Sequence, residues 1–327
     1  MRALWRGPLL WLLRRSPEEI ARRARCFGIH GPEASGLVAG VGAAFIGGFN
    51  AMLGCPALRE VALEGSRVTP LFRPFFFEGA AMGYLPRRFL HRGPNRRHAE
   101  RDLLAMNPAF RYLYYVGLGF WFGMTSRRPG SLLALEPHLD PIYYPLCYDG
   151  FGFKVAFYDY GAGPATLRRL QECPAEHAPA LWQGFGRGLY FVFMEDPGGF
   201  DRLRAGLPAA HRFDLEFGRS LALAFTRVDR PGQLLAHLAA APTEEDLAAR
   251  LTGLTWALTA RRMNDAAHFE QCLKGASPEG RDLLGRLPVL CEESLAASRR
   301  YVEWQARTRE AATRAYHDTL PRRPARS

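Results

Sequence analysis

Two series of prolines run through the middle of the chain at a nearly constant spacing. One consists of Pro94, Pro129, Pro164, Pro197 and Pro231, in steps of 35, 35, 33 and 34 residues. The other consists of Pro108, Pro141, Pro174, Pro208 and Pro242, in steps of 33, 33, 34 and 34. Proline suits the first turn of a helix, where its missing N–H would have no partner, and it stops a preceding helix from continuing. The first series opens short amphipathic stretches such as Phe200–Leu207; the second opens longer ones rich in aromatic residues and Leu. A period of about 34 residues accommodates two helices and two turns, the length of several α-solenoid repeats. A single hairpin of that size cannot bury its own apolar face, so neighbouring units must stack. Strand patterns are scarce throughout. The expected fold is therefore all-α, with tandem helical hairpins of about 34 residues forming a solenoid or a closed α/α toroid. The spacing predicts helix starts within about three residues of Pro108, Pro141, Pro174, Pro208 and Pro242. A single helical-repeat domain is expected over residues 16–318, after a basic and apolar segment at 1–15 and before a disordered basic tail at 319–327.

A second signature recurs inside each long stretch. It reads Val116-Gly-Leu-Gly119, Asp149-Gly-Phe-Gly152, Gln183-Gly-Phe-Gly186 and Glu216-Phe-Gly-Arg219, with a degenerate copy at Gly253-Leu-Thr255. Glycine inside a helix costs about 1 kcal/mol relative to alanine, so its repeated use implies a repeated benefit. Close approach of two helices is one such benefit, and a small-residue lining for a flat or extended ligand is another. No G-x-G-x-x-G follows a strand pattern, which argues against a nucleotide loop.

Composition narrows the function classes. With 48% hydrophobic and 23% charged residues the chain has ample apolar mass for a core, which excludes bulk disorder. The net charge is +11, but of the 43 basic residues only Lys154 and Lys274 are lysines, and the arginine pairs are spread along the whole chain. Nucleic-acid binding would gather that charge on one face, so it is not the expected role. Six well-separated cysteines with no C-x-x-C point to reduced thiols. The run Leu9–Leu13 is too short for a membrane span, which needs about 20 apolar residues. With Trp5, Trp11 and the flanking Arg6, Arg14 and Arg15, it reads first as a short helix docked on the domain, with a membrane surface as the second reading. The expected location is cytoplasmic, with peripheral membrane attachment as an option. Ser16-Pro-Glu-Glu19 reads as a helix start: a cap residue, proline in the first turn and acids at the positive helix end.

Several blocks resemble a known family. Ser16-Pro-Glu-Glu-Ile-Ala-Arg-Arg23, Val41-Gly-Ala-Ala-Phe-Ile-Gly-Gly-Phe-Asn50 and Phe77-Glu-Gly-Ala-Ala-Met-Gly83 are followed, in order, by Tyr148-Asp-Gly-Phe-Gly-Phe153, Trp182-Gln-Gly-Phe-Gly-Arg-Gly-Leu-Tyr-Phe-Val192 and Phe213-Asp-Leu-Glu-Phe-Gly-Arg-Ser-Leu-Ala222. These look like the uncharacterised-domain family that includes the conserved accessory protein of enediyne polyketide gene cassettes. The resemblance spans roughly residues 10–260. It implies a part in bacterial natural-product assembly, around a long conjugated polyene made by an iterative polyketide synthase. It supplies no agreed catalytic set. The chain also departs from the family pattern, carrying Lys154 where His is usual and Pro86-Arg-Arg88 where an aliphatic helix continues.

Candidate chemistry centres on polar residues beside the glycines. Glu78, Asp149, Gln183 and Glu216 hold comparable positions and would point at one space if the long helices line an interior. A carboxyl there with a raised pKa suits general-acid chemistry on a polyene. Hydrogen-bonded caps or cross-links between helices are the plainer role for the same residues. We name Asp149 and Glu78 as catalytic candidates. Substrate-binding candidates are Arg187, Arg219, Gln183, Trp182, Tyr148, Lys154, Gly152 and Gly186. The arginines suit either pairing with the acids or an anionic group such as a phosphopantetheine or carboxylate. Asp265, His268 and Cys272 share a helix face, and Glu136, His138 and Asp140 lie close in sequence, but neither trio has a recognised metal spacing, and no metal site or cofactor is assigned. The expected ligand is a hydrophobic small molecule such as a polyene, with a polyketide synthase, carrier protein or membrane protein as partner. A non-catalytic helical-repeat scaffold for a carrier protein or membrane partner is the alternative.

Overall fold

The computed structural model describes residues 13–92, 98–126, 128–159 and 164–320. Most of the 1–15 segment, Pro94, and all but the first two residues of the 319–327 tail therefore fall outside the described residues. No β-strand occurs among the described residues. The helices of the first part are α1 (Pro17–Cys26), α2 (Pro32–Gly54), α3 (Leu58–Ser66), α4 (Arg73–Arg92), α5 (Ala99–Met106), α6 (Arg111–Thr125), α7 (Leu146–Asp159), α8 (Pro164–Gln171), α9 (Ala178–Val192) and α10 (Pro197–Gly206). They are followed by α11 (Arg212–Thr226), α12 (Pro231–Ala239), α13 (Glu244–Asn264), α14 (Ala266–Leu273), α15 (Pro278–Ala296) and α16 (Tyr301–Thr319).

Prolines of the first series open α8, α10, α12 and a one-to-two-turn 3-10 segment at Pro129–Ala134, as the spacing predicts. The second series behaves differently. Pro174 and Pro208 have extended backbones, with ψ of 134° and 131°, so they stand before the helix rather than in its first turn. A short 3-10 turn follows each, and the α-helix proper begins at Ala178 and Arg212. Pro108 opens a similar turn, capped by the Asn107 side chain, ahead of α6 at Arg111. After Pro141 the helix starts only at Leu146. The connector has to reverse direction before the next long helix can pack, and a tight turn after proline does this in few residues. Pro242 lies just before the Thr243 cap of α13, whose hydroxyl accepts the Asp246 N–H.

Contacts group the chain into two compact units, 1–203 and 204–327, with the boundary inside α10. In the first unit the long helices α2, α4, α6, α7 and α9 pack side by side in that order, each on the next. A Cβ on Gly79 would meet the Phe45 carbonyl and one on Gly83 the Phe49 carbonyl; Gly184 and Gly188 relate in the same way to Asp149 and Phe153. An advance of four residues on one helix is matched by an advance of four on its neighbour, so the row is parallel. Its short helices and 3-10 turns are the returns between successive rungs. In the second unit α11 packs on α13, and α13 also packs on α15 and α16, where Trp256 and Trp304 stack at 4.0 Å. Among the described residues, one helix, α2, is long and apolar enough to cross a membrane, and most of its apolar stretch is buried against its neighbours.

Candidate functional site

The recurring glycines determine how closely the rungs of the first unit approach. On α7, Gly150 faces the Val116 carbonyl of α6, while Gly152 faces the Leu181 carbonyl of α9. The contacts are reciprocal: Gly119 of α6 faces the Cys147 carbonyl, and Gly184 of α9 faces the Asp149 carbonyl. A Cβ at any of these positions would overlap a backbone carbonyl. With hydrogen in its place, the helices approach within Cα–H···O range. Gly186 is buried in α9.

Glu78, Asp149 and Gln183 each immediately precede one of these contact glycines. One residue is about 100° around a helix, so the three side chains leave the row on one common side. The residues four positions on from Phe45, Glu78, Val116, Asp149 and Gln183 lie on the same side. They are Phe49, Met82, Phe120, Phe153 and Arg187. Phe49, Met82 and Phe120 form a core cluster with Leu53, against which the half-buried Phe45, Trp121, Phe153 and Tyr158 pack. The face is thus aromatic over most of its width and charged at one side.

The charged part is a cluster of four side chains. Glu78, Asp149, Gln183 and Arg187 are all buried. Arg187 Nε lies 3.3 Å from Asp149 Oδ1, and its Nη2 lies 3.4 Å from Glu78 Oε1. Gln183 Nε2 donates to Asp149 Oδ2 at 2.9 Å. The guanidinium carbon sits 5.1 Å over the Phe153 ring, which is 5.8 Å from the Phe120 ring. Two carboxyls therefore share one arginine. Two ionised carboxylates would leave a net negative charge in the interior, which is costly. Burial pushes Glu78 up to about 7, opposed by Arg187 and reinforced by the Asp149 charge. Burial likewise raises Asp149 to about 6, opposed by Arg187 and by the Gln183 hydrogen bond. Around neutral pH the pair can hold one proton and one negative charge, which places a general acid beside a general base.

The other sequence candidates lie elsewhere. Lys154 donates to both oxygens of Asp159 at 3.0 and 2.9 Å, and Arg169 pairs with the same carboxylate. The Tyr148 ring stacks on His177 at 4.4 Å, and its hydroxyl lies 3.2 Å from that of Tyr144. Trp182 is buried edge-on against Phe185. Glu216 and Arg219 belong to the second unit and have partners there, while Glu78, Asp149 and Gln183 come together in the first. Asp265 caps α14 by accepting the His268 N–H at 3.0 Å. No group of three His, Cys, Asp or Glu residues suited to a metal ion occurs among the described residues.

The second unit carries a cluster that sequence reasoning only half identified. Arg250 Nε donates to Glu216 Oε1 at 2.8 Å, and Arg219 lies 3.6 Å from Oε2. Arg250 also donates to the His237 carbonyl at 2.7 Å, and His237 Nε2 lies 2.8 Å from Ser220 Oγ. Burial, with Arg250 and Arg219 nearby, holds His237 down at about 3, so its ring is neutral. The signal for Arg250 was available: the step of 34 residues that joins Asp149 to Gln183 also joins Glu216 to Arg250. Phe153, the ring under Arg187, was missed because it reads as ordinary core.

No curated protein and no solved structure matches the chain. A family model described as "Protein of unknown function (DUF1702)" matches residues 9–311. The fold, the recurring glycines and the buried cluster thus belong to a member of the DUF1702 family.

Proposed function

We propose that this protein holds a hydrophobic polyene intermediate of bacterial natural-product assembly, of the enediyne-like polyketide type, and moves a proton on it through Glu78 and Asp149. The observation that carries this reading is the pair of buried carboxyls sharing Arg187 at the edge of the aromatic face. A conjugated chain suits an aromatic wall by stacking and apolar contact. The protonated carboxyl would deliver its proton to one carbon of the polyene while the ionised one removes a proton from another. The sum is an isomerisation that needs no oxidant and regenerates the pair. A polyketide synthase or its carrier protein would deliver the intermediate in the cytoplasm, and each helical row would serve as a solenoid segment that supports the site.

Parinaric acid, a fluorescent conjugated fatty acid, tests binding. We expect saturable fluorescence enhancement with the native chain, weakened in Phe153→Ala and retained in Asp149→Asn. In the native pathway, Asp149→Asn and Glu78→Gln should fold, bind and fail to support product formation. A folded Asp149→Asn variant that still supports product formation would remove Asp149 as the acid. It would favour the competing view, a non-catalytic scaffold for a carrier protein or membrane partner.

A further inference from the structure

The segment Leu13–Phe27 lies against the aromatic face from outside the row of rungs. Phe49 and Phe120 of that face are only 1% and 3% exposed. Among the described residues packed on their cluster, Phe45, Trp121, Phe153 and Tyr158 belong to rungs, and Leu13 alone comes from outside them. The rest of the segment is tied to the same face. The Arg15 backbone exchanges hydrogen bonds with the Asn50 side chain of α2, at 3.1 and 2.8 Å. Ile20 fills the space beside Gly42, where a Cβ would collide with it. Arg23 donates to the Phe157 and Tyr158 carbonyls, and its guanidinium carbon lies 5.4 Å from the Tyr158 ring, itself 6.0 Å from Phe120. Phe27 meets Phe157 edge-on at 5.4 Å.

These ties are light. α1 contributes two buried residues, Ile20 and Ala24, whereas the rung α2 contributes eleven. The carbonyls that Arg23 holds belong to the last turn of α7, where helix carbonyls have no partner in the helix and water can replace the arginine. After α1 the chain turns at Gly28, whose φ of +78° is the positive value among the described residues and one that glycine adopts without steric cost. Beyond this turn Ile29 is buried, and the Glu195 carboxylate accepts the His30 and Gly31 N–H groups at 3.0 and 2.8 Å. The base is therefore fixed, and a single glycine can absorb a rotation of everything before it. A ligand that stacks on Phe49 and Phe120 has to take the place that Leu13 holds. We infer that Leu13–Phe27 is a strap that swings away about Gly28 to admit an apolar chain to the aromatic face. The inference rests on the proposed binding of such a ligand there, and adds how the face opens.

Hydrogen exchange of the full native chain, with and without saturating parinaric acid, tests it. The amides of Ile20–Phe27 should exchange about tenfold faster or more in the complex, while those of α9 stay unchanged. A cross-link supplies a second arm. In Ile20→Cys/Gly42→Cys, made in a Cys26→Ser chain, the two Cβ atoms would start 2.8 Å apart, within about an ångström of the separation a disulfide takes. Oxidised, this variant should bind parinaric acid about tenfold more weakly or worse, and reductant should restore binding. Unchanged or increased protection of Ile20–Phe27 in the complex overturns the strap, and so does equal binding by the oxidised and reduced variant; both leave the aromatic face as the binding site. Absence of binding by the native chain would remove the strap and the binding site together. Should the variant not fold, the exchange result on the native chain decides.

Discussion

The two buried clusters have the same construction and opposite charge balance. In the first unit, Asp149 is joined by Gln183 one repeat on, and two carboxyls face one arginine. In the second, Glu216 is joined by Arg250 one repeat on, and one carboxylate faces two arginines. In the first, burial raises Glu78 to about 7 and Asp149 to about 6 against the opposing pull of Arg187. In the second, burial, reinforced by Arg250 and Arg219, holds the neighbouring His237 imidazole down at about 3. Equivalent repeat positions therefore sit in different charge surroundings, two acids to one arginine against one acid to two.

Removing the central arginine from each cluster should break this comparison most sharply. Arg187→Leu leaves two buried carboxyls without a cation, and unpairing a buried charge costs about 3–5 kcal/mol. The loss, read by denaturant unfolding, should be larger near pH 8 than near pH 5, because the acids can protonate at the lower value. Arg250→Leu should cost less, since Arg219 still faces Glu216. Equal losses with no pH dependence would mean that the charge balance does not distinguish the clusters.

Next come the glycines, where the two units should behave alike. Gly152→Leu and Gly253→Leu each place a side chain against a backbone carbonyl, of Leu181 and Phe217 respectively. Overpacking of this kind costs about 1–3 kcal/mol, and both variants should lose Tm. A Gly152→Leu protein with unchanged Tm but lost ligand binding would assign that glycine to lining instead.

The pH profile sharpens the contrast further. Glu78 and Asp149 have folded pKa values of about 7 and about 6, raised from 4.5 and 3.8. Their contribution to stability is present below the unfolded values and is lost as pH rises through the folded ones. His237 is lowered from 6.5 to about 3, so its contribution is lost as pH falls from 6.5 toward 3. Between these limits the two clusters should tilt stability in opposite directions. Glu78→Gln/Asp149→Asn should flatten the fall on the alkaline side, and His237→Gln the fall on the acid side; the checks are Tm series across pH. The Asp214 carboxyl, also raised by burial to about 7, remains in both variants and cancels in the comparison. Least of all should follow from Arg219→Gln, whose ion pair is 3.6 Å long and part exposed, with a change below about 1 kcal/mol.

The period, the all-α class and the matched placement of Asp149 and Gln183 were legible in the order of residues alone, because proline acts on its own backbone and the glycines recur at a fixed spacing. A proline can stop a helix wherever it stands, whereas a glycine at a rung contact answers to the carbonyl of the neighbouring helix. That the ordered blocks belong to an uncharacterised-domain family agrees with the DUF1702 model that matches residues 9–311. The position of the second-series prolines was less legible. Pro174 and Pro208 precede short turns instead of opening the long helices, since the return path between rungs is set by how those rungs pack.

What the sequence determined by itself was the repeat, the helix content, the small-residue contacts and the residues that could meet one repeat apart. What only the tertiary structure decided was which arginine serves which acid. Arg187 lies 109 residues from Glu78, and no period connects them. Long, flexible cationic side chains choose among acids by the distance and dielectric they find after packing, and those are properties of the assembled helices. The same holds for α1, whose amphipathic character is plain in sequence. Its path across α2 and α7 to Glu195 follows from which backbone carbonyls and N–H groups the packed row leaves without partners.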